Sequence, residues 1–173
     1  MKSWLLSSKK IYHASFKQIF LLLIFIFISI AVTVLGQFKS FTGNSKVFFE
    51  SGFIMLSIVY FFKFVYLYPI LVIIRLIRVK EKHNNLLVSS VAIILLAFVP
   101  LTLVWAIMSL FNLIVLNIPW SIYSNTYIWM NAILLPITLF YSYWKYTDSN
   151  IIDSLLDSMI LSGLALIIPL IHI

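Results

Sequence analysis

The sequence predicts an all-α, polytopic helical membrane protein with about five transmembrane helices and an amphipathic amino-terminal helix. Three observations predict it. Of 173 residues, 63% are hydrophobic and 10% charged, and the mean hydropathy of +1.11 lies far above that of a soluble domain. Apolar runs long enough to cross a hydrocarbon layer of ~30 Å recur along the chain. Basic residues gather at alternate ends of those runs, as topology requires. With 12 Lys or Arg and 5 Asp or Glu, the chain has too little charge to cover a water-soluble surface, so a single transmembrane domain over residues 1–173 is expected.

Composition also excludes whole classes of chemistry. The chain has no cysteine, which removes disulfides, thiol catalysis and cysteine metal sites. Its formal charge of +7 sits beside apolar segments rather than on a separable polar domain, so the expected partner is a bilayer with anionic headgroups and not nucleic acid. There is no Asn-x-Ser/Thr acceptor, and the richness in Phe, Ile, Tyr, Asn, Lys and Ser fits an AT-rich genome. A bacterial cytoplasmic (inner) membrane is the expected location, with an organellar inner membrane as the alternative.

In chain order, residues 1–18 come first. On a helical projection Lys2, Lys9, Lys10, His13 and Lys17 fall within roughly 100°, opposite Trp4, Leu5, Ile11, Tyr12 and Phe16. This predicts a basic interfacial helix, with a plain topology-setting flank as the alternative. The first span covers about residues 19–36, free of charge and ended by Gly36. A polar loop with Lys39 and Lys46 follows, and fewer basic residues here than before the span place the amino terminus inside and the loop outside.

The second span, about residues 52–74, carries Lys63 near its middle and Pro69 before a basic exit of Arg75, Arg78, Lys80 and Lys82. Arg75, Arg78 and Lys82 share one helical face, so together with Lys9, Lys10 and Lys17 they are expected to contact anionic lipid. From Leu86 to Trp120 no charge occurs. This run is read as a third span over 86–108, bent at Pro100, then an outer segment over 109–120 that lies on the interface or re-enters it. Trp120, Tyr123, Tyr127 and Trp129 form the expected aromatic belt. A fourth span over about 127–143 carries Asn131 and Pro136 and returns to Lys145. Residues 147–150, Thr-Asp-Ser-Asn, signal a turn capped by Asp148 or Ser149, and a fifth span over 154–172 places the carboxyl terminus outside.

Little in this chain resembles a catalytic or metal site. His13, His83 and His172 are spread over different segments, and no metal-binding or phosphate-loop motif occurs, so no catalytic residue, metal or cofactor is expected. The functional lead is charge inside the membrane. A lone Lys63 at the bilayer centre costs about 2.5–3.5 kcal/mol, so a partner, wet cavity or snorkelling is required. Asp157, one and a half turns into the fifth span, is the expected partner. The pair reads either as a clasp between helices or subunits, the preferred reading, or as part of a proton or solute path. Three functions follow: a non-catalytic structural or accessory subunit of a larger membrane complex, a small-solute or ion/proton transporter using Lys63 and Asp157, and an immunity-type protein against a pore-forming toxin. No motif decides among them.

Overall fold

Ser15 sets where the first helix begins. Its extended backbone (φ −92°, ψ 153°) places it outside the helix, its hydroxyl accepts from the Gln18 amide at 3.3 Å, and Gln18 Oε1 accepts from the Ser15 amide at 3.2 Å. This reciprocal box satisfies two amide donors that a helix start otherwise leaves open. In the computed structural model, which describes residues 15–37, 44–78, 86–116, 123–147 and 149–170, the box starts α1 (Phe16–Leu35). Residues 16–18 therefore belong to the apolar helix and not to an interfacial one. The rest of the expected amphipathic segment lies outside the described residues.

Four further helices follow: α2 (Ser45–Arg78), α3 (Leu86–Phe111) with a π-helical turn at Asn112–Leu116, α4 (Tyr123–Tyr146) and α5 (Ile151–Leu170). Among the described residues there is no strand. Among the described residues three helices are long and apolar enough to cross a membrane: α1, α2, and α3 with its π turn. The expectation of an outer segment over 109–120 needs correction, since the third helix runs unbroken through Phe111 and on through the π turn to Leu116. The sequence Ser109–Leu116 has no glycine or proline to stop it, and its polar residues Ser109 and Asn112 face inward, 0% and 1% exposed. Residues 117–120 lie outside the described residues.

α2 is also longer than its apolar core. At ~1.5 Å per residue its 34 residues extend about 51 Å, well past a hydrocarbon layer of ~30 Å. Asn44 Oδ1 accepts from the Lys46 amide, and Lys46 and Glu50, four apart, pair at 3.9 Å on the exposed first turns. Pro69, Pro100 and Pro136 all lie within helices that continue past them.

α3 is the centre of the bundle, packing against α1, α2 and α4, while α5 packs against α4 and α2. Its apolar span is 56% buried, against 28% for α1 and 22% for α2. Ile93, Ile94, Ala97, Phe98 and Leu101 of α3 meet Leu67 and Leu71 of α2, Leu135 and Leu139 of α4, and Leu161 and Ala165 of α5. The bundle is polar-inward. Among the described residues sixteen that are buried are polar or charged, whereas Phe25, Met55, Phe61, Phe62, Leu76 and Ile137 point outward. Hydroxyls survive in this interior by bonding back into their own helices: Thr33 to the Ser29 carbonyl (2.8 Å), Ser142 to Thr138 (2.8 Å), Ser162 to Met159 (3.0 Å).

Candidate functional site

A helix that is apolar on every side gives no outward clue to its inner face; polar residues supply it. On α2 the buried stripe is Tyr60, Lys63, Leu67, Leu71 and Arg75, each three or four residues from the last. The stripe turns toward α3, where the Tyr60 ring meets Phe98 edge-on at 5.6 Å. Lys63, 3% exposed, is thus an interior residue, and its ammonium lies 5.7 Å from the centre of the Tyr60 ring, within reach of a cation–π attraction. Asp157 is 1% exposed on the inward face of α5, which it shares with Ser154, Ser158, Leu161 and Ser162. Because α5 packs on α2, Lys63 and Asp157 lie on neighbouring helices and both face the interior.

Arg75 departs from expectation. Its spacing groups it with Arg78 and Lys82 as a headgroup-facing stripe, yet it is 2% exposed and its Nη1 donates to the Leu86 carbonyl (3.1 Å), Ser89 Oγ (2.7 Å) and Ser90 Oγ (2.9 Å). Both serine hydroxyls in turn donate to the Leu86 carbonyl, at 3.2 and 2.8 Å. The physical reason is that three acceptors in the first turn of α3 hold the guanidinium more firmly than a mobile headgroup would. They also offset the unfavourable meeting of a cation with the positive end of a helix dipole. The double serine following the basic loop was the sequence signal for this role. Arg78 ends α2, Lys17 is exposed in the first turn of α1, and Lys9, Lys10 and Lys82 lie outside the described residues. So do His13, His83 and His172, and nothing is described of the Asn131 side chain.

A second polar cluster ties α4 to α5. Thr147 Oγ1 donates to the Tyr143 carbonyl at 2.7 Å, so its 2.7 Å contact with Ser149 Oγ is donated by Ser149. Ser149 has then spent its hydrogen, and the 2.6 Å contact with Ser154 is donated by Ser154. The chain of hydroxyls thus runs one way, from the inward face of α5 to the end of α4. Ser149, one of the two expected caps of α5, engages the Thr147 and Ser154 hydroxyls, and the Asn150 carbonyl accepts from the Ser154 amide at 2.9 Å. Asp148 lies outside the described residues.

A third cluster joins α1 to α3. A β-carbon on Gly36 would lie 2.5 Å from the main-chain carbon and oxygen of Ser109, so glycine is what lets these helices touch. Beside it, Gln37 Nε2 donates to Ser109 Oγ at 3.2 Å. In the sequence Gly36 marks only the end of a span, and no local signal points to Gln37 meeting Ser109, 72 residues away in the chain. Among the described residues no group of three or more His, Asp or Glu is placed to hold a metal.

No protein-family model matches the chain, and no curated protein or solved structure matches it either.

Proposed function

We propose that this protein is a non-catalytic integral membrane protein of five spans, acting as an accessory subunit of a larger complex in a bacterial cytoplasmic membrane. The observation that carries this reading is the asymmetry of α2. Its inner stripe is filled with charges and core leucines, while Ile54, Met55, Phe61, Phe62, Leu76 and Ile77 on the same helix are each more than half exposed. Such a face suits lipid or the helix of a neighbouring subunit. The polar groups of the interior support the same reading, since Arg75, Gln37 and the Ser149–Ser154 chain engage other parts of this chain.

Photo-crosslinking residues placed singly at Met55, Phe62 and Leu76 in native membranes test the proposal, with the fully buried Leu71 as control. The expected result is a protein adduct of one constant mass at the outward positions and none at Leu71. Lipid adducts alone at all three would remove the subunit reading.

Transport of protons or a small solute is the second reading, favoured by the burial of Lys63 and Asp157 on neighbouring helices. It predicts flux into proteoliposomes holding the purified chain alone, abolished by Asp157→Asn.

A further inference from the structure

The junction of α1 with the π turn of α3 contains a buried amide with one end unmet. Gln37 is 1% exposed, its Nε2 is engaged by Ser109 Oγ, and no donor among the described residues reaches its Oε1. Exchanging the amide's oxygen and nitrogen moves the problem without solving it, because a single hydroxyl serves only one end. Ser109 is buried beside it, and Asn112 and Trp105 lie one turn to either side of Ser109 on the same buried face. The main-chain bonding also passes from α-helical to π-helical at Asn112.

The Gln37 oxygen is an acceptor in search of a donor, and it lies beside the place where α1 and α3 approach to the limit set by Gly36. We infer that the Gln37–Ser109–Asn112 junction holds one bound water molecule, which donates to Gln37 Oε1 and joins α1 to the π turn. Water is the ligand that this chemistry selects. The group to be satisfied is neutral, its surroundings are polar, and a buried water needs only a few such partners. A buried acceptor stranded without such a molecule would weaken the helix junction that the rest of α1 depends on.

Radiolytic hydroxyl-radical footprinting of the full-length protein in lipid nanodiscs tests this, because radicals made from bound water oxidise the side chains beside it. Trp105, although 5% exposed, is expected to be oxidised, while the similarly buried Phe98 at 2% is not. In Gln37→Leu the oxidation of Trp105 should fall to that of Phe98, with the exposed Trp129 unchanged as reference. The same variant should melt about 2–4 °C below the parent, since it removes a satisfied polar group. Trp105 that stays inert in the parent, or is oxidised equally in Gln37→Leu, overturns the inference. So does a variant that melts higher, which is the behaviour of an acceptor relieved of being stranded. The footprint of the parent decides the matter alone if the variant does not fold.

Discussion

Arg75 shows how much one residue can organise in this bundle. Its Nη1 binds three acceptors in the first turn of α3, so α2 and α3 are joined at that end by a charge-assisted cluster rather than by apolar contact alone. Hydrogen bonds to a charged group contribute about 1.5–3 kcal/mol each in favourable cases, so Arg75→Met should lower the melting temperature in detergent by several degrees. Arg75→Lys should recover only part of the loss, because the lysine ammonium ends one bond short of the position of Nη1 and is more strongly hydrated. Heat-stability measurements on both variants check this; equal stability of Arg75→Met and the parent would show that the cluster contributes nothing. Gly36 acts through space instead of charge. Gly36→Ala places a carbon against the Ser109 backbone and must push α1 from α3, at a cost of about 1–3 kcal/mol by comparison with overpacked cores. A loss of yield or heat stability beyond that of Gly163→Ala, where the added carbon meets open space, is the expected outcome.

At the scale of the helix, what could be read from sequence divides along physical lines. Helices were legible because long apolar runs without charge have few alternatives in lipid, where every backbone group must bond within its own segment. Their ends were less so. Hydropathy marks where apolar residues stop, whereas the helix stops where its caps are, so α2 and α4 both extend past their expected bounds and α1 starts earlier, at the Ser15–Gln18 box. Residues 109–116 were divided off for their distance from the span's start, although nothing in them breaks a helix. Inward faces were hardest, because α3 is apolar almost all round and only serines, Thr102 and Asn112 betray its burial. Lys63 and Asp157 stand out in the sequence as charges in apolar runs, and both are buried; the burial of Arg75 is hidden by its place in a basic run. For the amino-terminal segment the expectation is a test on its own peptide. Replacing Lys2, Lys9, Lys10 and Lys17 by Gln in residues 1–18 should weaken attachment to anionic vesicles, and equal binding to neutral vesicles would reduce those lysines to a topology signal.

The molecule as a whole is built with α3 inside, α1 and α2 largely outside, and charge in its interior. Its proposed topology puts residues 37–48 and the carboxyl terminus outside and residues 75–82 inside, so reporters fused after Lys82 and after Ile173 should report opposite sides. Reporters on one side would end the five-span account. The proposed clasp, in which Lys63 of α2 is held by Asp157 of α5, would join these helices through their interior charges. The most direct test is a double-mutant cycle on heat stability in detergent with Lys63→Met, Asp157→Asn and the pair. Each single change should destabilise by about 3–5 kcal/mol, as stranding a buried charge does, and the double variant should regain part of that loss. If Lys63→Met is as heat-stable as the parent, or the two losses simply add, the clasp is contradicted.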